Sequence, residues 1–350
     1  MNKRSPAGPS PASDATPAVA RIGRFYITRE LGRGSIGTVY LAHDPIIDRD
    51  VALKTFNARM TLADKKQHEQ QLINEARAAG RLSHPSIVTI FEASSEGGTT
   101  YIAMEYLQGK ELARMLDKKH SFTPDEIATI IWKVADALDY AHKNNVIHRD
   151  IKPANIFITG NNHPTLVDFG IARSPNRVSD KEMHKDQAYT LFQNNLLGTP
   201  NYMSPEQATG RAVDSRTDIY SLGAVMYEML AGRKPFQLDG DQLLQAIAHK
   251  APSSPIDLNP KAPLALSRIA MMALSKRPEK RYQTGQEMAL DLKRYLSQER
   301  KARRNAKQTM ADAEESPGSR NDEIDRSRLI LVACAAVIGV LVVVYSIWLR

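Results

Sequence analysis

Residues 146–170, V-I-H-R-D-I-K-P-A-N-I-F-I-T-G-N-N-H-P-T-L-V-D-F-G, gather His148, Arg149, Asp150, Lys152, Asn155 and Asp168. Two short apolar runs, Ile156-Phe157-Ile158 and Leu166-Val167, flank Gly160-Asn161-Asn162, whose residue types favour a tight turn. A hairpin brings its two ends together, so Asn155 and Asp168 are expected to face one site although 13 positions separate them. Two oxygen ligands suit a hard cation such as Mg²⁺, which takes one or two protein ligands and completes its shell with water and phosphate.

Two stretches nearer the N-terminus carry matching chemistry. Gly32, Gly34 and Gly37 fall between two strand-like segments, L-G-R-G-S-I-G-T-V-Y, and not between a strand and a helix. That placement counts against a dinucleotide fold and for a hairpin whose backbone approaches phosphate groups closely. Lys54 lies in an apolar strand, V-A-L-K-T-F, and a lysine buried there requires an anion. Glu75, on a helix expected over residues 60–82, is a candidate partner; the alternative is a solvated helix face.

The elements that must position these groups follow from residue patterning. Phe25 to Phe56 reads as three antiparallel strands, and Ile87–Phe91 and Tyr101–Tyr106 as two more around a Ser-Glu-Gly-Gly turn. Five strands and one helix make a small β-rich lobe, with Leu107-Gln108-Gly109 as connector. Beyond it the chain turns helical. Thr123-Pro124-Asp125-Glu126 is an N-cap, a proline and a capping-box acid, followed by Ile127, Ile130, Ile131, Val134, Leu138 and Ala141 at helical spacing. Asp218–Leu230 is largely apolar and expected at the centre of this lobe; Gln242–His249, Leu264–Leu274 and Gly285–Tyr295 are further helices. The fold class is α+β, with two lobes.

Length and charge bound the function. The 350 residues are ample for a packed core, and the hydrophobic (42%) and charged (25%) fractions are ordinary globular values. Of the net charge of +8, residues 1–24 hold +3 and residues 25–296 only +3, which argues against a nucleic-acid partner. The single cysteine, Cys334, excludes an intrachain disulfide framework. Residues 1–24 begin with a Pro/Ala/Ser-rich stretch with no apolar run, expected as a disordered tail and not a signal peptide. Leu329 to Leu349 carries no charge for 21 residues. At about 1.5 Å per residue such a helix spans roughly 32 Å, enough to cross a bilayer. Tyr345 and Trp348 sit near one end, and Arg326, Arg328 and Arg300–Lys307 lie on the other side, which orients that side to the cytoplasm. Residues 329–349 are therefore expected as a membrane anchor, residues 297–328 as its linker, and Ala335 and Gly339 as a small-residue spacing that would let anchors pair in a homodimer.

Taken together, residues 25–296 resemble a Hanks-type Ser/Thr protein kinase, most like the bacterial membrane-anchored ones. The matching motifs are G-R-G-S-I-G-T-V at 32–39, V-A-L-K at 51–54, Glu75, H-R-D-I-K-P-A-N at 148–155, D-F-G at 168–170, S-P-E at 204–206, D-I-Y-S-L-G at 218–223 and R-P-E-K-R at 277–281. The resemblance implies a bilobal fold, with residues 25–106 as N-lobe and 110–296 as C-lobe. It implies an ATP pocket built by Leu31, Gly32, Gly34, Gly37, Val39, Ala52, Lys54, Met104, Glu105 and Tyr106. Lys54, fixed by Glu75, would hold the α- and β-phosphates. Asp150 would take or orient the substrate hydroxyl proton, and Lys152 would steady the γ-phosphate. Asp168 and Asn155 would bind Mg²⁺, or Mn²⁺ in its place. Glu206 with Arg281 is implied as a buried structural pair, Asp218 as a brace of the catalytic loop, and His148 as scaffold. S-P-E stands where A-P-E is commoner, and Tyr220 where Trp is frequent. The long polar segment between Gly170 and Gly198 reads as a mobile loop. Arg149 is placed to pair with a phosphate on it, with Thr190, Thr199, Ser174 and Ser179 as candidates, Thr190 preferred.

The expected function is transfer of the ATP γ-phosphoryl group to Ser/Thr hydroxyls of proteins at a membrane, with autophosphorylation of the loop. The alternative is a catalytically silent, nucleotide-binding scaffold.

Overall fold

The computed structural model describes residues 20–34, 37–56, 62–169 and 200–314. Described residues up to Ser297 form one compact unit, and Gln298 begins a second. The first unit opens with strands β1 (Arg21–Ile22), β2 (Phe25–Arg33), β3 (Gly37–Asp44) and β4 (Arg49–Phe56), continues through helix α1 (Leu62–Ala79), and returns to β5 (Ile90–Glu96) and β6 (Thr99–Glu105). They build one antiparallel sheet in the order β1-β2-β3-β4-β6-β5. The five expected strands are present, and a sixth, β1, lies inside the stretch read as a tail. Arg24, also in that stretch, pairs with Asp44 and Glu92. The sheet therefore starts before residue 25; residues 1–19 lie outside the described residues.

Residues directly opposite in an antiparallel ladder share a face, and successive side chains alternate. Val39 faces Lys54, Lys54 faces Ile102, and Ala52 faces Met104. These five therefore line one face of the sheet. The other face is closed by Phe25, Ala42, Val51, Leu53, Tyr101 and Ala103, all buried. On α1, Leu72, Ala76 and Ala79 are buried, which fixes the helix against β5.

The lower part begins with a small sheet, β7 (Gly109–Glu111), β8 (Ile156–Thr159) and β9 (His163–Leu166), in that order. Helices α2 (Leu112–Asp117) and α3 (Pro124–Lys143) come between β7 and β8. The expected capping box is present: the Glu126 amide donates to Thr123 Oγ1 (3.3 Å) and the Thr123 amide to Glu126 Oε2 (2.8 Å). After residue 200 follow α4 (Pro205–Ala208), α5 (Arg216–Ala231), α6 (Gly240–His249), α7 (Pro255–Leu258), α8 (Leu264–Ala273) and α9 (Gly285–Glu314). Helix α5 is buried on nearly every side, as a helix apolar all round must be. It ends where Gly232 takes the left-handed conformation, φ 69°.

One C-terminal expectation changes, and another lies outside the described residues. Helix α9 does not stop at Tyr295 but continues to Glu314, so the first part of the stretch read as a linker is helical. Its residues 300–309 are exposed, and all but Ala302 and Ala306 are charged or polar. Among the described residues no helix is long and apolar enough to cross a membrane; Leu329–Leu349 lies outside them.

Candidate active site

The face of the sheet that carries Lys54 is built from apolar side chains around that lysine. Ala52 and Met104 are buried in a cluster with Ile102 and Val88, and Leu31, Val39, Leu107 and Val167 pack against it. Four of the predicted pocket residues are thus gathered on one apolar floor. Leu107 and Val167 join them unannounced, because a connector residue and a strand residue carry no signal of their own. Glu105 is exposed; its amide donates to the Thr89 carbonyl (2.9 Å). Tyr106 accepts from Arg29 (3.3 Å).

The three glycines do not share one reason. A Cβ on Gly37 would sit 1.7 Å from the Thr55 carbonyl oxygen, so this position is set by the close approach of β3 to β4. Among the described residues, a Cβ on Gly32 would meet nothing within 4 Å, and one on Gly34 only the Gly37 carbonyl, at 4.0 Å. Gly32 and Gly34 therefore leave the open backbone that a phosphate chain needs, whereas Gly37 is a packing residue.

Below the sheet, the hairpin forms as its sequence requires. Ile156 pairs with Leu166 and Phe157 with Thr165. The Val167 amide donates to the Asn155 carbonyl (3.0 Å), which draws Asp168 toward Asn155. Lys54 Nζ meets Asp168 Oδ1 at 2.7 Å. Lys152 Nζ meets Asp150 Oδ2 at 2.8 Å. Asn155 Nδ2 donates to the Asp150 carbonyl (2.8 Å) and Oδ2 (3.2 Å). This leaves the Asn155 amide oxygen for another partner. One carboxylate and one amide oxygen fit a hard divalent cation that keeps most of its shell for water and phosphate.

The loop that holds these groups is bent at two non-glycine residues in the left-handed region, Arg149 (φ 63°) and Asp168 (φ 59°). Each such residue costs about 1–2 kcal/mol, so the surroundings must over-determine it. For Arg149 the constraint is Asp218, fully buried on α5. Its Oδ1 accepts the Arg149 amide (2.7 Å), and its Oδ2 accepts the His148 amide (2.8 Å) and His142 Nε2 (2.8 Å). Burial alone would push the Asp218 carboxyl up, but the His142 bond and charge and the His148 contacts hold it below the usual carboxylate range. Gln207 Nε2 also donates to the Arg149 carbonyl (2.9 Å). Beside Asp168, His148 Nε2 donates to the Val167 carbonyl (3.0 Å), and its ring lies 4.6 Å from that of Phe169. His148 is buried and is scaffold.

A second buried centre sits beneath. Arg281 donates through Nη1 and Nη2 to Glu206 (2.7 and 2.8 Å), and to the carbonyls of Ser275, Arg216 and Lys276. All of its N–H groups are engaged. Thr217 Oγ1 adds a third bond to Glu206 (2.7 Å). Burial would raise the Glu206 carboxyl, but Arg281 and Thr217 hold it low.

Several expected site residues cannot be set in this geometry. Glu75 lies on α1, but its side chain is outside the described residues, and the partner Lys54 has among them is Asp168. Ser174, Ser179, Thr190 and Thr199 lie in 170–199, also outside them. Conversely, Gln207, Tyr202 and Glu228 join the site without having been singled out. Tyr202 donates to Glu228 (2.6 Å), and burial raises both groups. Gln207 was detectable, because Ser204-Pro205-Glu206-Gln207 is a capping box and forms one.

Comparison with known proteins agrees with this geometry. The Protein kinase domain family matches residues 25–313, beyond the boundary expected at 296. The probable serine/threonine-protein kinase PknB of Corynebacterium glutamicum is 38% identical over 304 residues, 84% of this chain and 45% of the relative. Serine/threonine-protein kinase PrkC of Bacillus subtilis is 35% identical over 274 residues, 77% of this chain and 40% of the relative. The chain thus spans less than half the length of these relatives. Among solved structures, the Mycobacterium tuberculosis PknI kinase domain superposes with a TM-score of 0.60 at 26% identity, covering 79% of this chain and 97% of that one. With the family matched over residues 25–313 and relatives 35–38% identical over most of the chain, the chain belongs to the protein kinase family, in its Hanks-type serine/threonine branch.

Proposed function

We propose that this chain transfers the γ-phosphoryl group of ATP to serine and threonine hydroxyls of proteins. The observation that carries this reading is the convergence of Lys54–Asp168 (2.7 Å), Lys152–Asp150 (2.8 Å) and Asn155–Asp150 (3.2 Å) in one cleft under the open backbone of Gly32 and Gly34. Phosphoryl transfer asks for positioning and charge neutralisation more than for covalent help. Leu31, Val39, Ala52 and Met104 receive the adenine, with the backbone of Glu105 and Tyr106 at its edge. Lys54 holds the α- and β-phosphates. Asp150 accepts the hydroxyl proton as the substrate oxygen bonds to the γ-phosphorus and the bond to the ADP oxygen breaks; Lys152 steadies the transferred group. Asn155 and Asp168 are the residues that would hold Mg²⁺ or Mn²⁺, whose charge offsets that of the phosphates.

The reading extends to regulation and place. The buried Arg149 Nε has no hydrogen-bond partner among the described residues, which suits a phosphate on the 170–199 segment, Thr190 first, added by the kinase to itself. Leu329–Leu349 anchors the chain in a membrane, with pairing of anchors as a route to a homodimer; the support is its uncharged apolar sequence.

The test is transfer from labelled ATP into a generic basic protein by the full chain in detergent, with Mg²⁺ or Mn²⁺. Incorporation is expected, with phosphate on serine and threonine; none above that of Asp150→Asn would overturn the reading. Mass spectrometry of the same sample should find phosphate within 170–199. Carbonate extraction of membranes should leave the full chain in the pellet, and release into the supernatant would overturn the anchor.

A further inference from the structure

A second cavity lies outside the catalytic cleft, between α4, α6 and the turn that follows α8. Its volume is about 420 Å³, and its charged lining is Arg211, His249, Lys276, Arg277 and one acid, Glu279. Three of the basic groups, Arg211, His249 and Arg277, are exposed at the rim, while Lys276 is half-buried. What separates these groups from their neighbours is the lack of counter-ions. Arg216 is paired with Asp214 (2.6 Å), and Arg281 with Glu206 (2.7 Å). Among the described residues, no ion pair involves Arg211, His249, Lys276 or Arg277.

Lys276 makes the point most sharply. Its ammonium donates to the Ile247 carbonyl (2.7 Å) and the Tyr220 hydroxyl (3.1 Å), and lies 4.8 Å from the Phe236 ring centroid. An ammonium has three donors, so one remains. Desolvation, and then the charge of Arg281, push its pKa down to about 8. A half-buried cation without a carboxylate is a cost that a bound anion would remove. A cleft whose lining carries Arg211, Lys276 and Arg277 against the single acid Glu279 also draws such an anion in.

We infer that this cavity binds a phosphorylated side chain of a protein substrate, so that the kinase favours targets already carrying one phosphate. The volume exceeds what one phosphate fills and suits a phosphorylated residue with its chain neighbours. The cavity also adjoins the site. Helix α4 contributes Pro205 to it and, two residues on, Gln207, which holds the Arg149 carbonyl of the catalytic loop. A protein held here lies on the side of α4 that leads to Pro200, Tyr202 and Met203, which share a pocket with Asp150 and Gln207. The inference rests on the kinase reading for the identity of its partner, but not for the binding itself.

The test is fluorescence polarisation of the full chain, in detergent, with a labelled peptide library holding a fixed phosphothreonine among random neighbours, and the same library with a fixed threonine. The phosphorylated library should bind at least tenfold more tightly. Asp150→Asn should keep that preference while losing turnover, which separates failure of the binding from failure of the kinase reading. A double variant, Arg211→Gln with Arg277→Gln, both at exposed positions, should lose the preference and keep its rate on an unphosphorylated basic protein. Lys276 should acylate more slowly when the phosphorylated library is present. Equal binding of the two libraries would overturn the inference, and so would a preference that survives the double variant. Competition by inorganic phosphate at the same concentration as the peptide would reduce the site to a phosphate pocket with no peptide recognition, and would overturn the substrate assignment.

Discussion

Two sets of charges, one within the lower lobe and one where Lys54 of the upper sheet meets it, are treated oppositely by the fold. Asp218, Glu206 and Arg281 are buried, and every one is fully engaged: Asp218 with three N–H donors, Glu206 with Arg281 and Thr217, Arg281 with its carboxylate and three carbonyls. Lys54, Asp168, Asp150 and Lys152 are only partly buried and meet as the pairs Lys54–Asp168 and Lys152–Asp150 at 2.7 and 2.8 Å, with Asn155 also donating to Asp150. The first set cannot move without leaving an unpaired charge in a low-dielectric interior. The second set can exchange its partners for phosphate, metal and hydroxyl. Buried charges hold the geometry, and partly exposed ones perform the chemistry.

The contrast is broken most severely at the buried pair. Glu206→Ala leaves Arg281 charged and without its carboxylate, and should cost about 3–5 kcal/mol. Thermal or urea unfolding should register the loss, whereas Lys152→Ala should leave the midpoint nearly unchanged. Next comes the glycine contrast. Gly37→Ala forces β3 away from β4 and should destabilise by about 1–3 kcal/mol. Gly34→Ala meets only the Gly37 carbonyl, at van der Waals distance, and should spare stability while weakening nucleotide binding, read by titration with ATP.

Acid should reveal the buried set as well. Glu206 and Asp218 are both held below their ordinary range in the folded chain. Their contribution is therefore complete above roughly pH 4, the unfolded value. It is lost as the pH falls through the depressed folded values. Urea midpoints should fall in that window, and the fall should be shallower in Glu206→Gln. Lys276 is shifted in the same direction, but for a cation the depressed value marks a cost of burial and not a gain. Its folded value, about 8, lies below its unfolded value of 10.5, so stability should rise from pH 8 toward 10.5, and Lys276→Met should flatten that limb. The smallest effect expected is at the capping box of α3, where Thr123→Ala should cost about 1 kcal/mol.

The elements were legible wherever residue type alone decides them. Thr123 and Glu126 announce their capping box, Gly160-Asn161-Asn162 announces the hairpin, and the apolar run of α5 announces its central place. What was not legible depended on partners remote in sequence. Arg21 and Ile22 become a strand only because β2 offers an edge, and no local pattern marks them. Gly37 looks like a third phosphate-loop glycine until the Thr55 carbonyl is placed beside it. The continuation of α9 past Tyr295 is hidden because its apolar periodicity ends while its helix-forming residues do not. The chemical site was legible through its motifs, but the engagement of Gln207 with the Arg149 carbonyl, and the uncompensated charges around Lys276, exist only in three dimensions.

The measurement that bears most directly on this account is the phosphoryl-transfer rate of Asp150→Asn, taken beside its melting curve. Asp150 belongs to the partly exposed set, so its loss should slow transfer by about 10²–10⁴-fold while the melting temperature stays close to that of the parent chain. A variant that melts normally and still transfers phosphate at the parent rate would contradict the assignment of this cleft as the centre of phosphoryl transfer.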